Sequence, residues 1–403
     1  MELNFHNKAN DTHIKVERTT KYWVHTDKGV LLDTLMGNTA FIFGYDNQEI
    51  KSSLDLVQSN VAFLNWRHTE TCEYNDTLVK ALCEMSGYSA VAWAVSGSDG
   101  VEAAFKMNEF YWYKVDSSKK KIVSFTPGYH GSTHLARILR GESNSDIAIV
   151  LDAPIWKSLH NREQREYEVL QKLKDTLASN NDVGAVIFET IPWISGLRPW
   201  SPTWWTSIRQ ICDDYNVNLI LDDCLGCCGK LGPYFSQDRY NIKADMVVLG
   251  KALTGGYSPL SGVCVSSKIG ETIKDVYDYG HTWQPNMAGV GAALGVLNVF
   301  NEKTIMNIED RLNSLGTKLV SLGFGSEYFA QGLIFIMVLS KSLPPSIYIK
   351  HGLTGSLDDF ALDSAGNKKR IEVFAPAIAD DEYFIELETR LISCLTENAT
   401  VVK

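Results

Sequence analysis

Four polar groups along this chain share one kind of position, directly after a short apolar run. They are Ser96-Gly97-Ser98 after "AVAWAV", Glu189 closing "VGAVIFE", Asp222 in "NLILDD", and Lys251 after "DMVVLG". Open α/β sheets bind ligands outside the carboxyl ends of their strands, so these are places where chemistry is done. Each group also has a plainer reading. Gly97 turns the chain while Ser96 or Ser98 caps the next helix. Glu189 and Asp222 are strand-end acids, and a lysine after a strand is a solvated charge. As a set, however, they match the needs of one cofactor, pyridoxal 5′-phosphate. Its aldehyde needs a lysine amine for a Schiff base, and its pyridine nitrogen needs a carboxylate to stay protonated. Its phosphate suits a Gly/Ser turn at a helix N-terminus, where free N–H groups and the helix dipole favour an anion. Its ring needs a flat clamp, which Tyr129 in "FTPGYHGSTH" supplies.

The elements that must carry these groups are legible in the middle of the chain. Apolar runs at 90–95, 121–125, 183–189 and 218–223 alternate with amphipathic stretches such as "VEAAFKMNEFYWYKV" and "TWWTSIRQICDDYNV". Continuous apolar strands between amphipathic helices indicate an α/β fold with a mostly parallel sheet covered on both faces. "LSGVCVSS" reads as a strand antiparallel to its neighbours. Lys21 to Asp33 alternate around a turn at Asp27-Lys28-Gly29, as a hairpin does. The two ends are expected to form a smaller domain, residues 1–50 with 300–403, packed on a large domain of residues 51–299.

Composition narrows the class of function. The chain has 403 residues, 45% of them hydrophobic and 21% charged, and a net charge of −10. That balance lacks the basic face of a nucleic-acid partner, and no window approaches a membrane span. The polar start "MELNFHNKANDTH" has no apolar core of a secretory signal, so the cytoplasm is the expected compartment. Eight scattered cysteines read mostly as small buried hydrophobes. Cys224 and Cys227 make a single CxxC without the second pair a zinc ribbon needs, so no metal is expected.

Several ordered motifs then resemble the class III (ω-type) aminotransferases of fold-type I, from about Tyr22 to Gly332. "SGSDGVEAAFK" is similar to the family's phosphate turn, and "GYHG" to its Tyr-His-Gly. "VIFETIP" stands where the family has a strand ending in Glu-Pro, and "LILDDCLGCCGKLG" where it has its key aspartate and a glycine-rich turn. "ADMVVLGKALTGGYSPLSG" resembles the strand bearing the Schiff-base lysine, 29 residues beyond Asp222. "GHTWQPNMAGVGAALGVL" resembles a segment whose threonine reaches the phosphate of the partner subunit. The resemblance implies a large domain with a mostly parallel, seven-stranded type of sheet plus a smaller α+β domain, and a homodimer with shared active sites. It implies Lys251 as Schiff-base amine and proton shuttle, Asp222 on the pyridine nitrogen, and Glu189 beside the ring's phenolic oxygen or the Asp222 network. Tyr129 then covers one ring face and Cys224, where the family has valine, the other. Gly97, Ser98 and His130 complete the cofactor site, with Thr282 from a second subunit. The implied reaction is ping-pong transfer of an amino group from an amine or amino-acid donor to a carbonyl acceptor.

Departures from the pattern leave the substrate open. Asp223 replaces a glutamate, Asp99-Gly100 replaces Glu-Ala, and Cys227-Cys228-Gly229-Lys230 replaces Gly-Phe-Gly-Arg. Many members carry a carboxylate-binding arginine near the C-terminus, whereas "RIEVFAPAIADDEYF" places Glu372 or Val373 there, with Arg370 out of register. Arg67 or Arg18 then takes that job, or the donor lacks a carboxylate at that place. Tyr22, Trp66 and Trp193 read as an aromatic entrance, or else as core and interface residues. A class III aminomutase of the glutamate-1-semialdehyde type is the alternative enzyme, separated by stoichiometry. A non-catalytic relative is disfavoured by Lys251, Asp222 and Tyr129 occurring together.

Overall fold

The computed structural model describes residues 14–65, 70–153, 161–198, 200–355 and 368–400. Three sheets organise them. The first is a meander of β1 (Val16–Thr20), β2 (Trp23–Thr26) and β3 (Gly29–Leu32). The second holds β4 (Ala90–Ala94), β5 (Lys121–Thr126), β6 (Ala148–Asp152), β7 (Val183–Glu189), β8 (Asn218–Asp222), β9 (Met246–Leu249) and β10 (Ser261–Val265). Its order is β4-β10-β9-β8-β7-β5-β6. The third pairs β11 (Gly325–Gln331), β12 (Ile334–Leu343) and β13 (Lys368–Phe374) antiparallel.

The large sheet is parallel except at β10, which runs antiparallel to both β4 and β9. Every residue of β7, β8, β9 and β10 is buried, which is why these runs are apolar without alternation. The β4 run differs from the fully buried strand expected of it. Four of its five residues are only half-buried, because β4 is an edge strand paired on one side. The expected hairpin is present, with β2 and β3 joined at Asp27-Lys28.

Aromatic packing stiffens the sheet on one face. Ser201 caps the helix Pro202–Asp214 by accepting from Trp204 N at 3.1 Å, and Pro202 opens it with a preset φ. Trp204 stacks on Trp200 at 4.0 Å, and both meet Phe188 of β7 edge-on. Such pairs contribute about 0.5–1.5 kcal/mol each beyond the area they bury. Trp200 Nε1 also donates to the Glu189 carbonyl at 2.9 Å, so this layer is tied to the end of β7.

The chain ends meet. Thr34 Oγ1 donates to Thr354 O at 2.7 Å, Phe374 N to Thr34 O at 2.7 Å, and Ala377 N to Ile42 O at 2.7 Å. One core cluster runs from Tyr22, Leu32 and Met36 through the large sheet to Ile371 and Tyr383. Among the described residues no helix is long and apolar enough to cross a membrane.

Candidate active site

The carboxyl ends of β4, β5, β7, β8 and β9 lie on one side of the sheet and surround a cavity of about 380 Å³. Gly97, Ser98, Tyr129, His130, Glu189, Trp193, Asp222, Cys224 and Lys251 all line it. Eight of these are the cofactor and catalytic residues expected on this subunit, and Trp193 is one of the expected pocket aromatics.

Strand register sets the acid pair. In β7 and β8, Glu189 is the partner of Asp222, so two buried carboxyls sit side by side at the sheet's end. Asp222 Oδ2 is 2.9 Å from His130 Nδ1, and its Oδ1 accepts from Cys224 N at 3.3 Å. Glu189 accepts from Tyr129 N at 2.8 Å and from Trp193 N at 3.1 Å. Burial pushes the Glu189 carboxyl up to about 7; His130 and the two N–H donors oppose that rise, and Asp222 adds to it. For His130, burial disfavours the charged ring. The hydrogen bond and charge of Asp222, with Glu189, outweigh burial and hold it above its ordinary value.

Alternation along the chain sends Asp223 the other way. Its carboxyl receives Thr190 Oγ1 at 2.6 Å, Ser236 Oγ at 2.5 Å and Ser236 N at 3.0 Å, a buried knot that braces the strand ends. Burial, with Cys227 nearby, lifts it to about 8. Cys224 is likewise held protonated by burial, and its thiol faces the Val248 carbonyl at 3.9 Å.

Lys251 follows β9 in a left-handed conformation, φ 44°, and lines the cavity. Tyr129 is 40% exposed, and the Arg140 guanidinium lies 4.7 Å from its ring centroid. Arg140 is held by Glu142 at 2.8 Å and reaches the Gly131 carbonyl at 3.4 Å. This cation–π contact was not signalled by any motif.

The N-terminus of the helix Gly97–Val115 opens on this cavity. Ser96 caps that helix by accepting from Asp99 N at 3.2 Å, which leaves the first N–H groups, at Gly97 and Ser98, without intrahelical partners. Glycine is required at 131, where φ is +117° and a Cβ would meet Ser98 Oγ at 2.3 Å and Ser98 Cα at 2.8 Å; a Cβ on Gly97 would meet Cys224 Sγ at 2.7 Å and displace that thiol. Asp99 has a different task from the glutamate it replaces. It accepts from Val95 N at 2.9 Å and Tyr279 OH at 2.6 Å, and pairs with His281 Nε2 at 3.0 Å. It thereby anchors the segment bearing Thr282, which is exposed and does not line the cavity of its own chain.

Tyr22 does not line the cavity. Its ring is fully buried beside Tyr383, and its hydroxyl donates to Asp380 at 2.8 Å, because it serves as a bolt between the chain ends. Arg18 is exposed on β1, and Arg370 is engaged with Glu372. Trp66 and Arg67 lie outside the described residues.

Sequence reasoning missed Asn38, which also lines the cavity. Met36, Gly37, Asn38 and Thr39 form a left-handed turn with φ of 46°, 57°, 57° and 68°. Left-handed conformation costs roughly 1–2 kcal/mol per ordinary residue. Asp33 opposes that cost: it accepts from Leu35 N, Gly37 N and Thr354 Oγ1 at 2.9, 2.9 and 2.7 Å, and from Tyr45 OH at 2.5 Å. The Gly37-Asn38 pair, two residue types that tolerate this region, was the available signal.

The aminotransferase class-III family model matches residues 5–329. The chain belongs to the class III aminotransferases. Gamma aminobutyrate transaminase 2 of Solanum lycopersicum is 27% identical over 329 residues, covering 76% of this chain and 71% of that protein. Vanillin aminotransferase of Capsicum chinense is 24% identical over 323 residues, covering 74% and 70%. The fold matches the omega transaminase of Pseudomonas jessenii, solved in complex with PMP, with a TM-score of 0.88 at 19% identity over 100% of this chain and 97% of that one. A thermostable (S)-enantioselective omega-transaminase from Thermomicrobium roseum gives 0.86 at 21% identity, covering 98% and 96%.

Class III aminotransferases use pyridoxal 5′-phosphate, and this chain is a pyridoxal-phosphate-dependent transaminase. Its residues fit the cofactor: an amine, a buried carboxylate, an aromatic flank and a helix N-terminus kept open by glycines converge on one cavity. The aminomutase alternative is not favoured by these relatives.

Proposed function

We propose that transamination is run by the residues that converge on this cavity, with Lys251, Asp222 and Glu189 as the chemical groups. When bound, the cofactor supplies an electron sink conjugated to the substrate nitrogen. Asp222 keeps the pyridine nitrogen protonated, and His130 fixes the orientation and charge of Asp222. Lys251 provides the amine that holds the cofactor between turnovers and carries the proton to and from the substrate carbon. Glu189 lies beside the Asp222 network and donates or accepts a proton as its environment changes. Tyr129 flanks one ring face, backed by Arg140, and Cys224 the other. Gly97 and Ser98 receive the phosphate through their N–H groups.

The observation that carries this reading is the alignment of Glu189, Asp222 with His130, and Lys251 around a single cavity. Its test is the half-reaction. The holoenzyme mixed with an amine donor alone should lose its visible absorbance band and release one carbonyl product per active site. A subsequent carbonyl acceptor should restore the band. Steady conversion of a single substrate into its isomer, with no acceptor required, would instead favour the aminomutase.

The working unit in this reading is a homodimer whose partner contributes Thr282 to the phosphate site. The exposure of Thr282, with its segment pinned by Asp99, supports that role. Residues 51–299 form the cofactor domain, and 1–50 with 300–403 the smaller unit, a division supported by the joined chain ends. Eight free cysteines suit a reducing compartment such as the cytoplasm. Donor and acceptor are small molecules, an amine or amino acid and a carbonyl compound.

A further inference from the structure

The left-handed turn at Met36–Thr39 brings Asn38 to the same cavity as Lys251, Trp193 and Leu225. Asn38 is exposed to the cavity, on a turn whose backbone is held from behind by the buried Asp33 carboxylate. Phe41, just beyond the turn, packs on Tyr45 and on Tyr257 of the loop that follows Lys251, at 4.9 and 5.4 Å between centroids. The position of Asn38 is therefore tied to that of the catalytic lysine. Strained backbone retained at a ligand cavity is the pattern of a functional constraint.

The charge of the cavity narrows what Asn38 meets. Among its described lining residues Glu189 and Asp222 are acids, His130 is already engaged by Asp222, and Lys251 is the one other cation. A carboxylate remote from the reacting amine finds no guanidinium among the described lining residues, and it would share the cavity with Glu189 and Asp222. An asparagine amide both donates and accepts, which matches a hydroxyl group. Trp193 and Leu225 supply the apolar wall for the intervening carbons.

We propose that Asn38 is a specificity-determining residue that selects amine donors bearing an uncharged hydroxyl remote from the amine over those bearing a carboxylate. The proposal rests on the transamination reading above. Three donors of equal reach test it: pentylamine, 4-amino-1-butanol and 4-aminobutyrate. Each is reacted with the holoenzyme, and kcat/KM is taken from the half-reaction. In the wild type, 4-amino-1-butanol should exceed both others. Asn38→Gly keeps the left-handed turn but removes the amide, and it should lower the 4-amino-1-butanol to pentylamine ratio about tenfold, the scale of one hydrogen bond. Asn38→Asp, also tolerated in this conformation, should keep the preference for the hydroxyl over pentylamine and depress 4-aminobutyrate further. A ratio unmoved in Asn38→Gly, or a wild type that prefers 4-aminobutyrate, would overturn the assignment. Loss of the absorbance band with none of the three donors, nor with any other amine, would overturn the transamination reading itself, a result distinct from either.

Discussion

His130 Nδ1 lies 2.9 Å from Asp222 Oδ2, with both side chains buried. In the proposed site the imidazole orients the carboxylate that would keep the pyridine nitrogen protonated, so His130 would act through Asp222. His130→Ala removes this partner and leaves Asp222 beside Glu189 with less to stabilise its charge. Turnover should fall about tenfold to a hundredfold, the effect of losing one charge-assisted hydrogen bond. The cofactor's absorbance maximum and its pH dependence should shift as well, a change that a purely structural loss does not produce. Unaltered kinetics and spectrum in a cofactor-saturated variant would count against the positioning role.

Lys251→Ala should abolish the borohydride-reducible cofactor linkage and lower turnover by on the order of a thousandfold or more. The fold should persist, because the side chain lines a cavity and packs into no core. Mass spectrometry after reduction reads the linkage, and circular dichroism reads the fold. A reduced adduct still present on the variant chain assigns the amine elsewhere.

Glu189 gives the apo protein a pH signature. Its carboxyl rises from 4.5 to about 7 on folding, so between those values the folded chain binds more protons than the unfolded one. The stability linked to this group is complete below pH ~4.5 and is lost as pH climbs through ~7, on the order of 3 kcal/mol in all. Glu189→Gln removes the titration while also losing one acceptor for the Tyr129 or Trp193 N–H. The variant should be less stable at pH 5, yet its urea midpoint should decline less between pH 5 and 7. Parallel pH profiles for the two proteins would show that Glu189 is ionised throughout.

The shared-site homodimer predicts complementation. Chains carrying Lys251→Ala are mixed with chains carrying Thr282→Ala under subunit exchange, at cofactor levels where the second variant is weak. In each mixed dimer one site carries both lesions and the other neither. About a quarter of wild-type activity should return at random mixing of equal amounts, since half the dimers are mixed and half of their sites intact. Demonstrated exchange without recovery would remove Thr282 from the neighbouring subunit's site.

Much of this protein is determined by local pattern. Apolar runs without alternation specify strands buried on both faces, and each run ends in the residue that needs solvent or a ligand. For that reason Glu189, Asp222 and Lys251 could be assigned to one rim before any contact was known. The hairpin at Asp27-Lys28 and the antiparallel Ser261–Val265 strand follow from the same short-range rules.

What needed the tertiary structure were choices made by groups distant in the chain. Asp222 and Asp223 are adjacent and chemically alike; the partners that make one a cavity acid, His130, and the other a brace of the frame, Thr190 and Ser236, come from other segments of the chain. Tyr22 reads either as an entrance residue or as a core residue, and Asp380 and Tyr383, more than 350 positions away, decide for the core. Asn38 is a turn residue by type, but its left-handed conformation is supported by Asp33, which accepts from Gly37 N and is itself fixed by Tyr45 and Thr354. Propensity and periodicity act over a few residues, whereas burial, charge and strain are settled by whatever the fold brings alongside.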